Sequence, residues 1–310
     1  MKIQFAKFFD PYRVIRRIFC IVIFLFCLLN HSIIVADDCN NICETKKMII
    51  GCDDRHRIGG IFAQAFISSL HIGRFNRGCT GTLISPRHVL TAAHCFFNHP
   101  LVPTTFSLAQ EAQHICRHPF GSTAASRVFI PSSYGTAGNE NNKSFDIAIV
   151  ELANELASVG TANFGYLPWN RVKNALLSTG GYPSDPPDGG ILGAPFYQRL
   201  GFADSLRSDD QPFKWQDEGA SGLFYTKFDA SGGQSGSPVY ASLIPFSTES
   251  MLIGVLIGSP ISSCNQDRNW VVRITPEVLT HINNILAPNT LDFWWNQTNL
   301  PTAQSEPPCD

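Results

Sequence analysis

From residue 61 onward, short apolar runs alternate with glycine, proline and other turn residues. Ile61 to Leu70, Thr80 to Ile84, Val89 to Ala93, Ile147 to Leu152, Ala175 to Thr179, Leu223 to Phe228, Pro238 to Ile244, Met251 to Ile257 and Trp270 to Ile274 are the predicted strands. Many short strands at this spacing predict an all-β sandwich or barrel. A single segment reads as a helix, with Thr275 as cap, Pro276 at the first position, Glu277 in the first turn, and Val278, Leu279, Ile282, Ile285 and Leu286 on one face. The folded domain is expected to end there. Residues 287–310, with four prolines and the Trp294-Trp295 pair, read as an extended tail. Gly180 to Gly193, rich in glycine, proline and aspartate, reads as a surface loop, and no repeat of 20 to 50 residues is visible.

The first 36 residues have a different pattern. Lys2, Lys7, Arg13, Arg16 and Arg17 form a basic leader, Ile18 to Leu29 is an apolar core, and Ile34-Val35-Ala36 ends in a small residue suited to cleavage. Twelve residues at about 1.5 Å each cover about 18 Å, short of a roughly 30 Å bilayer core. Asn30-His31-Ser32 interrupts the run before it resumes at Ile33. Residues 1–36 are therefore read as a signal peptide, and the mature chain as secreted and extracellular, with no stable membrane anchor after signal removal.

Composition narrows the class further. The chain has 310 residues, 44% apolar and 15% charged, which fits a globular protein and excludes a disordered or fibrous one. A formal charge of -2, with no basic run after residue 17, gives no electrostatic footprint for nucleic acid. Ten cysteines become eight once Cys20 and Cys27 leave with the signal, an even number in an oxidising compartment. Cys39 and Cys43 have no matching second pair, so a zinc knuckle is not expected and no metal site is assigned. Asn142-Lys143-Ser144 and Asn296-Gln297-Thr298 are glycan acceptor sequons.

Three segments carry candidate chemistry. In Leu90-Thr91-Ala92-Ala93-His94-Cys95, a histidine follows small residues at a strand end, beside a cysteine sixteen positions from Cys79. In Asp146-Ile147-Ala148-Ile149-Val150-Glu151-Leu152, an acidic residue opens an apolar strand. In Gly232-Gly233-Gln234-Ser235-Gly236-Ser237-Pro238, glycines let the backbone turn sharply, so that amides and a serine hydroxyl converge. Taken singly, these are a structural histidine, a turn aspartate and a glycine-serine loop.

Taken in the order His, Asp, Ser, the three contexts resemble the chymotrypsin-like serine peptidases over about Ile58 to Leu286. The resemblance implies two packed antiparallel β-barrels, divided near residue 165, with a C-terminal helix. It implies a Cys79–Cys95 disulfide, and a triad of Ser235 as nucleophile, His94 as base and Asp146 as the group that orients His94. It implies an oxyanion hole from the Gly233 and Ser235 amides, protein or peptide substrates, a protease inhibitor as a further partner, and no cofactor. Six cysteines beyond Cys79 and Cys95 allow fifteen pairings.

Departures from the main trypsin pattern point in several directions. Gln234 stands where the family has an acidic residue, and Ser237 where it has glycine. With Gly181-Tyr182-Pro183, the nucleophile motif resembles the glutamyl endopeptidase branch; yet Leu256 occupies the place of that branch's glutamate-reading histidine, and Ile257 that of the serine supporting the aspartate. Arg57-Ile58-Gly59-Gly60 resembles a zymogen activation junction, which would make residues 37–57 a propeptide; the plain alternative is the end of a leader. Counting back from Ser235, Asp229 matches the carboxylate of the arginine- and lysine-binding pocket, with Gly258 and Ser259 as its small wall residues. Aligned through a gap, Phe228-Asp229 instead matches a structural pair of the glutamyl branch. The two functional expectations are a secreted serine endopeptidase and a catalytically silent, protease-shaped binding protein.

Overall fold

The computed structural model describes residues 47–48, 56–57, 71–99, 101–110, 118, 120–135, 140–156, 160–172, 174–184, 196–200, 222–226, 228–242, 250–258, 269–287 and 292–305. In chain order the strands are β1 (Lys47–Met48), β2 (His56–Arg57), β3 (Ile72–Phe75), β4 (Thr80–Ser85), β5 (His88–Thr91), β6 (Thr105–Leu108), β7 (Ser122–Pro131) and β8 (Ala148–Leu152). There follow β9 (Leu176–Gly181), β10 (Phe196–Leu200), β11 (Leu223–Thr226), β12 (Ala230–Ser231), β13 (Ser237–Ser242), β14 (Met251–Gly258), β15 (Asn269–Arg273) and β16 (Trp295–Asn299). Two helices are described, α1 (Trp169–Val172) and α2 (Pro276–Leu286), and no described helix is long and apolar enough to cross a membrane.

Six antiparallel strands close on themselves in the order β7-β6-β3-β4-β5-β8, because β7 pairs with β8 as well as β6. Their inward positions fill the barrel with Phe75, Leu83, Val89, Phe106, Leu108 and Val150, all without exposed surface. The Phe75 ring meets Phe96 edge-on at 5.2 Å and Phe106 at 4.9 Å, an arrangement aromatic quadrupoles favour. The second sheet runs β11-β15-β14-β13-β9-β10-β2. Strand alternation splits its residues between two clusters: Leu256 and Val271 join Phe224, Phe228 and Val239 in its own core, whereas their neighbours Val255 and Val272 face the cluster shared with the first barrel.

The helix forms where its cap and apolar stripe place it. Thr275 Oγ1 accepts from the Val278 N–H at 3.2 Å, Pro276 occupies the first position, and Val278 and Ile282 are buried. Truncating Ile282, which has no exposed surface, to alanine would cost about 2–5 kcal/mol.

Four sequence expectations need correction or completion. Strand β5 stops at Thr91, and Ala93–Cys95 turns into a 3-10 helix rather than continuing the strand. Gly180 and Gly181 lie buried in β9 and not in a surface loop, while residues 185–193 and Ile61 to Leu70 lie outside the described residues. The region after α2 is not a free tail: Trp295–Asn299 pairs in register with β7, from Trp295 opposite Pro131 to Asn299 opposite Arg127. Strands β3, β6 and β7 carried no clear sequence signal, β7 because Ser122 to Ser126 are small and mostly polar residues with no apolar alternation.

Candidate active site

Strand pairing brings the acidic and histidine segments together. Thr91 lies opposite Ala148 in the β5–β8 ladder, so the chain leaving β5 and the chain entering β8 emerge at one end of the sheet. His94, in the 3-10 turn after β5, and Asp146, just before β8, therefore meet across 52 residues of sequence. The Asp146 carboxylate accepts from the His94 backbone N–H at 2.8 Å and lies 2.7 Å from His94 Nδ1. An ionised carboxylate can only accept, so Nδ1 carries the hydrogen and Nε2 is left as the basic nitrogen. Asp146 is buried and His94 is half-exposed.

Each partner is held from outside the pair. The Cys79–Cys95 disulfide, with its Cα atoms 6.3 Å apart, staples the residue after His94 to the start of β4. Asp146 follows a 3-10 turn, Glu140–Phe145, in which Lys143 Nζ lies 3.4 Å from the Trp270 ring centroid and the Phe145 ring packs against Trp294 at 6.2 Å. Tyr134 feels the same carboxylate: burial and the Asp146 charge push its phenol well above the ordinary tyrosine range. For His94, burial alone would favour the neutral ring, but the Asp146 hydrogen bond and charge outweigh it, and the net effect raises its pKa above 6.5.

The serine segment is fixed by Thr80. The Thr80 N–H donates to the Ser235 carbonyl at 2.9 Å, and its Oγ1 donates to the Gly233 carbonyl at 2.8 Å while accepting from the Tyr182 N–H at 3.0 Å. The Thr80 carbonyl in turn accepts from Thr91 Oγ1 at 2.7 Å, which links the serine loop to the strand that leads to His94. Two glycines are required here. Gly233 has φ +91° and a side chain would meet the Tyr182 carbonyl at 2.3 Å; Gly236 has φ +90° and would meet the Thr80 carbonyl at 2.0 Å. Among the described residues, neither the Gly233 nor the Ser235 amide donates to a backbone acceptor, and Ser235 itself is half-exposed.

Gln234 is buried and closes the loop internally. Its Oε1 accepts from the Ser231 N–H at 3.0 Å, its own N–H donates to the Ser231 carbonyl at 3.1 Å, and its carbonyl accepts from the Ser237 N–H at 2.9 Å. Ser237 Oγ is buried with no hydrogen-bond partner among the described residues.

The remaining predicted residues are less gathered. Asp229 is almost wholly buried between Phe228 and β12. Gly258 ends β14 with φ +87°, and Ser259 lies outside the described residues. Arg57 is paired in β2 opposite Phe196, and Ile58 lies outside the described residues. Of the cysteines, only Cys79 and Cys95 fall among the described residues. Their sulfurs and a His94 nitrogen lie within 4.8 Å of one another, but the disulfide consumes both thiolates, so the trio is not a ligand set for a soft metal. Sequence reasoning missed Thr80 and Thr91; a buried threonine inside an apolar strand was the available signal.

Comparison with known proteins gives consistent matches. The family model described as Trypsin matches residues 60–287. A glutamyl endopeptidase from Bacillus licheniformis is 27% identical over 252 residues, covering 77% of this chain and 69% of the relative. Serine protease 23 from Homo sapiens is 28% identical over 280 residues, covering 80% of this chain and 66% of the relative. The chain thus spans about two thirds of the length of these relatives. The solved structure of a Glu endopeptidase in complex with MPD superposes with TM-score 0.59 at 20% identity, over 76% of this chain and 97% of that one.

Proposed function

The chain belongs to the trypsin family, and from that premise we propose that it is a secreted endopeptidase working through Ser235, His94 and Asp146. The observation that carries the reading is the double contact of Asp146 with His94, which sets the tautomer a general base needs. Ser235 Oγ attacks the peptide carbonyl as His94 Nε2 removes its proton. The same proton goes to the departing amine, and water then hydrolyses the acyl-enzyme by the reverse route. Asp146 stays ionised and stabilises the imidazolium that forms between these steps. The Gly233 and Ser235 amides receive the developing oxyanion; losing one such donor costs roughly 100-fold to 1000-fold in turnover.

The side-chain preference proposed is for arginine or lysine, with Asp229 as their counter-charge. Its place six residues before Ser235, counted without gaps, supports this, and a carboxylate at the base of the pocket would pair with a cationic side chain. A peptide-library profile that Asp229→Ser leaves unchanged would remove this assignment. Secretion rests on the basic leader and apolar core of residues 1–36, and processing at Arg57-Ile58 would leave residues 37–57 as a propeptide.

The decisive experiment is labelling with a fluorophosphonate, which reacts only with an activated serine. Labelling is expected at Ser235 in the wild type and lost, with hydrolysis, in Ser235→Ala. Absence of labelling in properly processed wild-type protein would favour the silent, protease-shaped binding protein, and labelling that persists in Ser235→Ala would place the nucleophile elsewhere.

A further inference from the structure

A polar cleft of about 620 Å³ opens on the first barrel, between β3, β6, the start of β7 and the stretch Thr302 to Gln304. Its floor is a cross-strand row. Arg74 on β3 lies opposite Ser107 on β6, and Ser107 lies opposite Ser122 on β7, so the three side chains share one face of the sheet. The far wall is supplied by the chain beyond β16, held down where the Leu300 N–H donates to the Ser126 carbonyl at 2.8 Å and the Ala124 N–H donates to Ser305 Oγ at 3.1 Å.

The charge of this cleft is one-sided. Among the described residues its lining holds Arg74 and His118 and no acidic residue, on a chain whose formal charge is -2. Arg87 and Arg127 both pair with Glu151, and Arg273 donates to the Leu167 carbonyl. The guanidinium of Arg74, half-buried in the cleft wall, has no ion pair and no hydrogen bond among the described residues. A planar, five-donor cation in a polar recess, with no carboxylate beside it among the described residues, is suited to receive one in bidentate fashion.

Position relates the cleft to the reaction. Arg74 is also paired with Thr80, whose N–H donates to the Ser235 carbonyl. Two strand spacings, about 10 Å of backbone, thus separate Arg74 from the serine. An extended peptide advancing about 3.3 Å per residue covers that distance in about three residues. We propose that this cleft binds the carboxylate side chain of an aspartate or glutamate on the polypeptide substrate, about three residues from the bond that is cut. The proposal rests on the peptidase reading above and adds to it a second recognition point, which the chain after the helix completes by walling the cleft.

The test uses peptides in which one glutamate is moved along the sequence, each paired with its glutamine counterpart. Wild-type enzyme is expected to cleave the glutamate peptide with about tenfold higher kcat/KM at one position near three residues from the cut, corresponding to about 1.4 kcal/mol. In Arg74→Gln the glutamate-to-glutamine ratio should fall to about one, and in Arg74→Lys it should be intermediate. Because each ratio is taken within one preparation, loss of folded protein cancels. The same peptides, fluorescently labelled, are titrated against Ser235→Ala and against Ser235→Ala/Arg74→Gln. An Arg74-dependent glutamate preference in binding, without hydrolysis by the wild type, would overturn the peptidase reading and leave the cleft assignment standing. No glutamate preference at any position, or one that survives in Arg74→Gln, would overturn the cleft assignment. So would an Arg74-dependent thermal shift by succinate without discrimination between the peptides, since that would make the cleft a site for free carboxylates.

Discussion

Asp146 takes both of its hydrogen bonds to His94 from a single residue, one from the backbone N–H at 2.8 Å and one at Nδ1 at 2.7 Å. The first fixes where His94 sits and the second fixes which ring nitrogen is free. Together the two contacts orient the carboxylate and the imidazole with respect to each other. Asp146→Asn would present an amide where a pure acceptor is needed and would allow the wrong tautomer. We expect kcat near neutral pH to fall roughly 10,000-fold, the loss this substitution causes where such a triad operates.

The pH dependence follows from the same pair. His94 must be neutral to act as base, and its pKa is raised, so activity should fall as pH drops through a value above 6.5. The stability contribution runs the other way: a raised folded-state pKa stabilises fully below the unfolded value and is lost as pH rises through the folded one. A kcat/KM profile that is flat from about pH 5 to 8 would refute His94 as the base.

Gln234 predicts how activation should behave. In trypsin-like zymogens a freed N-terminal amine pairs with an acidic residue at this place, but here the carboxamide is neutral and its oxygen is already bonded to the Ser231 N–H. Arg57→Gln should therefore block processing yet leave measurable activity in the uncut protein. Mass spectrometry reports the processing, and complete inactivity of the uncut variant would show that the loop does need the amine.

Ser237 should be dispensable for stability. Its buried hydroxyl has no partner among the described residues and crowds Gly181, where an added Cβ would come within 2.0 Å of Ser237 Oγ. An unsatisfied buried polar group costs about 1–3 kcal/mol, so Ser237→Ala should raise Tm by several degrees. Gly181→Ala should lower it, and Ser237→Gly should restore part of that loss. A Tm unchanged or lowered in Ser237→Ala would mean that the hydroxyl is satisfied.

The segment after the helix should matter to the site through Trp294. Its ring stacks on His281 at 4.6 Å and packs against Phe145, the residue before Asp146. His281 Nδ1 and Asn284 Nδ2 hold Asp292, at 2.7 and 3.0 Å. Burial alone would raise the Asp292 pKa, but the hydrogen bonds from His281, Asn284 and the Trp294 N–H, with the His281 charge, outweigh it and lower the pKa below 3.8. A depressed carboxylate stabilises above its unfolded pKa and loses that contribution as pH falls through the folded one. Asp292→Asn should thus lower Tm near neutrality, with the gap to wild type closing below about pH 4. Trp294→Ala should lower both Tm and kcat, and unchanged kinetics would show that the segment is an independent appendage.

Local chemistry made part of this protein legible from its sequence. The cap, proline and apolar stripe of residues 275–286 determined the helix to the residue, because every signal lay within one helical turn of what it controls. Apolar runs such as Leu223 to Phe228 and Met251 to Ile257 marked buried strands, and the glycines around Ser235 marked a forced turn. What the tertiary structure alone decided was long-range pairing. The polar segment Trp295 to Asn299 is a strand only because β7 presents an open ladder to it, and Ser122 to Ser126 joins the barrel only because β6 and β8 flank it. The His94–Asp146 contact, the hold of Thr80 on the serine loop, and the Arg74–Ser107–Ser122 row likewise depend on register. Register is set where strands meet whose paired residues lie from 15 apart, at Ser107 and Ser122, to 172 apart, at Arg127 and Asn299, and local propensity does not choose the partner.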